Sequence, residues 1–451
     1  MTVTDPRKDR AVRALRGLLA DLPEVPPASP AGRERRRPVG ALLVAAVVAA
    51  LLLVLPLLLS GPTPSPSGGA APATLPDPFP AYAHLPATVE RSPAGPALMV
   101  FTHGYGVEFM DYPQAIAVGA DGGTYRRLDT ADDASVRSDQ GDPGPMLLSP
   151  DGRSVAVGGR GNDGYLATVS LEDGSVRTWP LPDGRSTTPL AWSGDGRSVF
   201  VGLVEDDTHR YSYLDGAPAR VGYDVRRADL DAPEGTEPVR LPEVAAATGI
   251  APLPQDGGLL VSTGDGAELR SADGMQVVAT GLDLGLDLEP TAVSPDGRRV
   301  VTGGAGSVQV STLDGGAVTS TDPLDLSVMT DRPAGAGRMA EPLGWLAADR
   351  ILVSTYDTET AALRLHLWSV DVDSGAAQEL LVAEPGWTGA AVGEISVAAD
   401  LLDGAEVGDP GMVDRGRVLM LLRGALLVAL VALVLRAVRQ AGAARQAYRD
   451  A

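Results

Sequence analysis

The 451-residue sequence contains no cysteine, a single lysine (Lys8), four histidines and only 4% aromatic residues. Without cysteine there is no disulfide framework, no thiolate zinc site and no thiol nucleophile. With Lys8 as the only lysine, close to the amino end, a folded domain has neither a Walker A phosphate loop nor a Schiff-base amine. His84, His103, His209 and His366 are scattered, with no i, i+4 pair to hold a metal. Glycine (54) and proline (37) are abundant instead, which argues against a long helical protein. Hydrophobic residues make up 44%, too many for wholesale disorder. The length suits one large domain, or two, with additional segments.

Positive charge is scarce in the middle of the chain. Residues 1–40 carry nine basic and five acidic side chains, and residues 414–451 carry seven and two. Residues 41–413 hold 51 acidic against 21 basic, within a total net charge of −21. Such a region has no basic footprint with which to displace counterions from phosphates, so nucleic acid is not an expected partner. The acidity is expected to serve solubility. Near-exclusive use of arginine, with much Ala, Gly and Pro, suits a GC-rich bacterium.

Two apolar segments bracket the acidic region. Residues 39–59 contain no charged side chain, and 21 helical residues span about 31 Å, the thickness of a bilayer core. The basic cluster Arg35, Arg36 and Arg37 precedes them and is expected to stay in the cytoplasm. The basic region ahead of this segment is too long, and the segment itself too long, for a cleaved signal peptide, so an uncleaved signal anchor is expected. Residues 418–435 would span about 27 Å but include Arg423 and Gly424. Arg423 lies near the outer end, where its guanidinium can snorkel. Arg436 and Arg439 follow and again favour the cytoplasm, giving an in–out–in topology with the lipid bilayer as a partner. The competing readings are a helix lying on the membrane or one packed on the domain. Residues 60–81 contain seven prolines and are expected to form an extended, semi-rigid spacer. In the amino-terminal tail, Asp5-Pro6 suits a helix start, and Val12, Leu15, Leu18, Leu19 and Leu22 share one face up to Pro23. This helix is read either as a peripheral membrane helix or as a docking site for a cytoplasmic regulator.

The central region repeats. Leu147-Leu148-Ser149-Pro150-Asp151-Gly152-Arg153-Ser154-Val155-Ala156-Val157 matches Ala191-Trp192-Ser193-Gly194-Asp195-Gly196-Arg197-Ser198-Val199-Phe200-Val201. Ala292-Val293-Ser294-Pro295-Asp296-Gly297-Arg298-Arg299-Val300-Val301-Thr302 is a third copy. Weaker copies surround Asp256 and Asp349, and an early one starts at Ser92. The spacing from Asp151 to Asp349 is close to 50 residues per unit, the period of a propeller blade rather than of a solenoid turn. Pro, Asp and Gly at successive turn positions suit a type I turn closed by a left-handed glycine, and a β-branched run follows each time. Further strand and turn signals fill each unit, as four short strands require.

At Asp151-Gly152, Asp195-Gly196 and Asp296-Gly297 the chain resembles the WD-40-like, TolB-type β-propeller repeats, whose signature is a Ser-Pro-Asp-Gly-Arg turn before an apolar strand. The resemblance covers roughly residues 82–400 and marks a divergent relative, since the Gly-His and Trp-Asp dipeptides of WD repeats are missing. It implies an all-β fold, a six- or seven-bladed propeller of four-stranded antiparallel blades, here flanked by transmembrane helices. Six complete units are legible, with a seventh fragment over residues 389–402 that either completes a blade or leads on toward the membrane.

No catalytic, cofactor-binding or metal-binding residue is nominated. His103-Gly104-Tyr105-Gly106 resembles a hydrolase oxyanion loop, but no Gly-x-Ser-x-Gly elbow accompanies it. Glu205-Asp206-Asp207 lacks the alternating oxygen ligands of a calcium loop. The organisation expected is a cytoplasmic tail (1–38), a transmembrane helix (39–59), a linker (60–81), an extracytoplasmic propeller (82–402), a linker (403–417), a second transmembrane helix (418–435) and a basic cytoplasmic tail (436–451). Its expected role is binding a protein or peptide on the propeller face. The alternatives are an anti-sigma-like regulator that holds a cytoplasmic partner on its amino-terminal tail, and an extracytoplasmic hydrolase built on the propeller.

Overall fold

The computed structural model describes residues 72–79, 86–103, 114–134, 143–161, 164–205, 223–244, 247, 249–254, 258–263, 266–271, 273–274, 276–282, 291–303, 307–314, 317–326, 340–357, 364–383, 392–411, 413–416, 431, 436 and 439–440. Among them no helix is long and apolar enough to cross a membrane. The apolar segment 39–59, the amino-terminal helix over 5–22 and all of 418–435 except Val431 lie outside the described residues.

The Ser-x-Asp-Gly turns do what their chemistry dictates: each joins the first two strands of a four-stranded antiparallel blade. Blade 2 consists of Met146–Leu148, Ser154–Gly158, Leu166–Ser170 and Val176–Trp179, in that spatial order. Blade 3 runs Ser186–Trp192, Ser198–Val204, Asp224–Asp229 and Val239–Arg240. Blade 4 comprises Gly249–Leu253, Gly258–Thr263, Gly266–Arg270 and Val277–Leu282. Blade 5 has Thr291–Val293, Arg299–Gly303, Ser307–Asp314 and Ala317–Ser320, with Leu324–Asp325 pairing further along Ser307–Asp314. Blade 6 is Glu341–Ala347, Arg350–Asp357, Arg364–Asp371 and Ala377–Ala383. Second strands such as Ser154–Gly158 and Ser198–Val204 are buried on both faces, which is why they read as continuous apolar runs rather than alternating ones.

Blade 1 is built from both ends of the domain. Its three outer strands are Ala97–His103, Gln114–Gly119 and Tyr125–Arg127, and its inner strand is Val392–Val397. The fragment at 389–402 is therefore neither a seventh blade nor a lead to the membrane. It supplies the strand that the early repeat lacks, and the propeller described has six blades. The folded unit also reaches beyond 82–402. Thr74–Pro76 pairs in parallel with Glu406–Gly408, Leu75 is fully buried, and the Phe79 ring packs 5.2 Å from Phe101. Part of the expected proline-rich spacer is thus a strand on the domain. Next to it, the buried Arg126 guanidinium donates to the carbonyls of Ser92 (2.7 Å), Tyr125 and Asp414 (2.9 Å each) and to the Asp414 carboxylate (2.8 Å).

The core sits between blades. Phe101, Ile116 and Tyr125 of blade 1 pack with Leu352, Leu365 and Leu367 of blade 6, and each other neighbouring pair shares its own apolar cluster. Fully burying one such side chain contributes about 1.5–3 kcal/mol. Trp192 and Trp345 occupy equivalent positions before their turns, and each indole N–H donates to the preceding blade, to Leu147 O (3.0 Å) and Ala292 O (3.4 Å). Between blades 1 and 2 a serine makes the comparable tie: Ser396 Oγ accepts from the Leu148 backbone N–H at 3.0 Å.

Two predictions follow from this packing. Ser396→Ala leaves the Leu148 N–H without its acceptor at the ring closure and should cost about 1–2 kcal/mol in urea denaturation. Asp132 lies in the short helix Asp129–Asp133 and accepts the Ala115 N–H at 3.0 Å, yet burial pushes its carboxyl up to about 7. A raised carboxylate pKa makes the folded state hold a proton that the unfolded chain has lost, so this group's contribution falls as pH rises between about 4 and 7. Asp132→Asn should therefore raise Tm by a few degrees at pH 8 and change it little at pH 4, checked by thermal denaturation at both.

Candidate functional site

The three turns singled out in the repeats border one cavity, which Pro150, Gly194 and Pro295 line. In each turn the serine begins it: Ser149, Ser193 and Ser294 accept through their carbonyls from Gly152, Gly196 and Gly297 at 2.8–2.9 Å. Their hydroxyls donate to Asp151, Asp195 and Asp296 at 2.7, 2.5 and 2.6 Å. Each aspartate also accepts a backbone N–H at 3.0 Å, from Arg153, Arg197 or Arg298. The serine hydrogen bond is the main reason that Asp195 and Asp296 stay below the usual carboxylate range. All three glycines have φ near +70°. The aspartates are thus spent on turn geometry, not turned toward a ligand.

What the turns surround is the candidate site. The inner strands of the six blades stand side by side around a central channel and enclose a cavity of about 590 Å³. Leu148, Trp192, Ala251, Val293, Trp345 and Ile395 represent the six blades in its wall. Pro150, Pro254 and Pro295, from the turns, form part of its rim. The lining side chains are apolar except for Ser396 and three acids: Glu341 at the start of its inner strand, and Asp400 and Asp403, both exposed, beyond the end of the blade 1 inner strand. No lining residue is basic. Burial first, then the charge of Glu394, raises the Glu341 pKa, partly offset by the Ser354 hydroxyl at 3.5 Å. Burial and the nearby Asp151 raise that of Asp400.

The other flagged residues do not join this site. His103 is buried in blade 1, and His366 pairs with Glu379 at 2.7 Å on the outer strands of blade 6. Glu205 pairs with Arg185 at 2.9 Å. His84, His209, Asp206 and Asp207 lie outside the described residues, as do Arg35, Arg36 and Arg37. Arg436 and Arg439 are exposed on helical backbone. Among the described residues no three His, Asp or Glu side chains come together as a metal site would need. Sequence reasoning missed Glu341, Asp400 and Asp403. The available signal was position: Glu341 opens the strand that leads to the Trp345 copy of the repeat, and Asp400 and Asp403 end the unexplained fragment.

The turns make different demands on their glycines. A Cβ at Gly196 would meet nothing within 4 Å, whereas one at Gly152 would lie 2.2 Å from the Ala97 carbonyl oxygen in blade 1. Gly196→Ala should cost about 1 kcal/mol, the left-handed backbone alone, and Gly152→Ala about 3 kcal/mol because backbone must also move. Urea denaturation of the two variants checks the difference.

No family model matches the chain, and no curated protein matches it. Among solved structures it is similar to a chain of a nidogen/laminin complex, at 14% identity and a TM-score of 0.39, over 67% of this chain and 99% of that one. It is similar to an oligogalacturonate lyase in complex with manganese, at 11% identity and a TM-score of 0.40, over 67% and 79%. The WD40 β-propeller domain of Doa1 matches at 13% identity and a TM-score of 0.33, over 53% and 69%.

Proposed function

We propose that the chain is a membrane-anchored protein that carries its propeller outside the cytoplasmic membrane and acts by binding through the central channel, not by catalysis. The observation that carries the binding role is the channel itself. It is a cavity walled by all six blades, of the size of a ligand pocket and lined mostly by apolar side chains. A protein or peptide presenting a side chain or terminus to that mouth is the expected class of ligand.

Two features support the anchoring. The basic residues Arg35, Arg36, Arg37, Arg436 and Arg439 flank the two apolar segments on the sides that a loop outside the membrane demands. The stretches that lead from the first segment and toward the second also meet at one hairpin of blade 1. The Thr74 N–H donates to Ala120 O at 2.9 Å, and the Tyr125 N–H donates to Asp414 O at 2.8 Å. Neighbouring exits suit two anchors in one bilayer.

The lack of native cysteine makes the test direct. Asp183→Cys and Gln440→Cys place single thiols at exposed positions on the propeller and in the carboxyl-terminal tail. With a membrane-impermeant maleimide, Asp183→Cys should label in intact cells and Gln440→Cys only after lysis. Labelling of both in intact cells would leave a single anchor. An Asp183→Cys thiol that reacts only after lysis would place the propeller in the cytoplasm and end this reading.

A further inference from the structure

We infer that the channel takes an elongated organic cation, apolar along its body and positively charged at its ends. The inference rests on the channel being a binding site and adds the chemistry of what enters it. Three observations carry it: the shape of the cavity, the sign of its charges and the lack of any partner for them.

The shape follows from the strands. Glu341 is the first residue of the blade 6 inner strand, and Gly404, next to Asp403, donates its N–H to Leu346 O near the end of that strand at 3.2 Å. Five residues of strand separate the two levels, about 16 Å. Between them the wall consists of side chains such as Leu343, Trp345 and Val397. A ligand that fills the channel therefore meets carboxylate at both ends and hydrocarbon between.

The charges have one sign. Glu394, beside Glu341, pairs with Arg160 at 2.9 Å, whereas among the described residues Glu341 has only the Ser354 hydroxyl at 3.5 Å. Among the described residues neither Asp400 nor Asp403 forms an ion pair, and no lining residue is basic. Glu341 is half-buried, and a desolvated carboxylate without a counter-charge is costly, so a cation brought by the ligand relieves that cost; Asp400 and Asp403 are exposed and attract a second cation at the channel mouth. The raised pKa values of Glu341 and Asp400 report the same tension. A metal ion fits poorly, because these carboxylates stand at opposite ends and no three acidic or histidine side chains converge among the described residues. An ammonium or guanidinium on an alkyl chain satisfies both the ends and the wall.

The test uses the full chain in lipid nanodiscs and three probes of equal length: dodecanediamine, dodecanediol and dodecanedioic acid. Trp192 and Trp345 lie in the channel wall, so intrinsic fluorescence reads occupancy. The diamine should bind and raise Tm, and the diol and diacid should bind at least about tenfold more weakly. Glu341→Gln, and separately Asp400→Asn with Asp403→Asn, should each weaken the diamine about tenfold. Glu341→Gln should also stabilise the free protein, because it removes a half-buried unpaired charge, whereas Asp400→Asn with Asp403→Asn, at exposed positions, should change stability little. The pairing of lower affinity with higher stability in Glu341→Gln is not what a merely structural role would produce. Diol binding equal to diamine binding, unchanged affinity in both variants, or no binding of the diamine at millimolar concentration would each overturn the inference. Equal binding of the diol would still leave the channel a ligand site. The maleimide labelling does not depend on the ligand, so failure of the membrane reading is seen separately.

Discussion

The pairing of Val392–Val397 with Ala97–His103 is the contact on which the rest of this molecule depends. Five blades are made from consecutive strands and can form locally. The remaining blade takes its inner strand from the far end of the domain, so the ring is complete only when the chain's two ends meet. Until then Ala97–His103 presents an unpaired edge, and the apolar faces of blades 1 and 2 are partly uncovered. The contacts that secure closure are correspondingly long-range. Arg126 and Asp414 are 288 positions apart, and Ser396 and Leu148 are 248 apart. Joining such distant segments costs chain entropy that grows only slowly with separation, so a few well-satisfied polar contacts and one buried strand suffice.

The repeated turn shows how one local solution is used in different surroundings. Serine, aspartate and a left-handed glycine close each turn with the same internal hydrogen bonds, and this chemistry needs nothing from the rest of the fold. Its surroundings differ. Gly152 touches blade 1 where the ring closes, and Gly196 faces open space. The tryptophans before the turns have the complementary role, since each reaches back to the blade before it. The turn shapes a blade, and the indole ties it to its neighbour.

The channel wall shares residues with the core, since Leu148, Ile250, Ala292 and Trp345 belong to the clusters between blades, but its mouth at Asp400 and Asp403 is exposed. It can hold carboxylates that a packed interior would expel or pair. Glu341 is tolerated there at an electrostatic cost, while Asp400 and Asp403 stay exposed to water.

Much of the fold was legible in residues whose structural meaning is local. The Ser-x-Asp-Gly turns, the apolar runs after them and their spacing of about 50 residues define blades of four strands wherever they occur, because turn dihedrals and strand burial follow from neighbours in sequence. The blade count was not legible in the same way. Residues 389–402 read as an incomplete repeat unit that carries no label for its partner, and only the tertiary structure pairs its Val392–Val397 with Ala97–His103. Residues 72–79 show the same limit: their prolines suit an extended spacer, yet Leu75 and Phe79 become buried because blade 1 offers them a surface. The channel carboxylates were the least legible of all. Glu341 and Asp403 are ordinary acids in a chain with 58 of them, and only closure of six blades into a ring places them at the two ends of one apolar cavity. The sequence by itself determined the repeating unit, because short-range backbone chemistry is written residue by residue. The ring, its closing strand and the charge of its channel were decided by tertiary structure, because they depend on which distant surfaces meet.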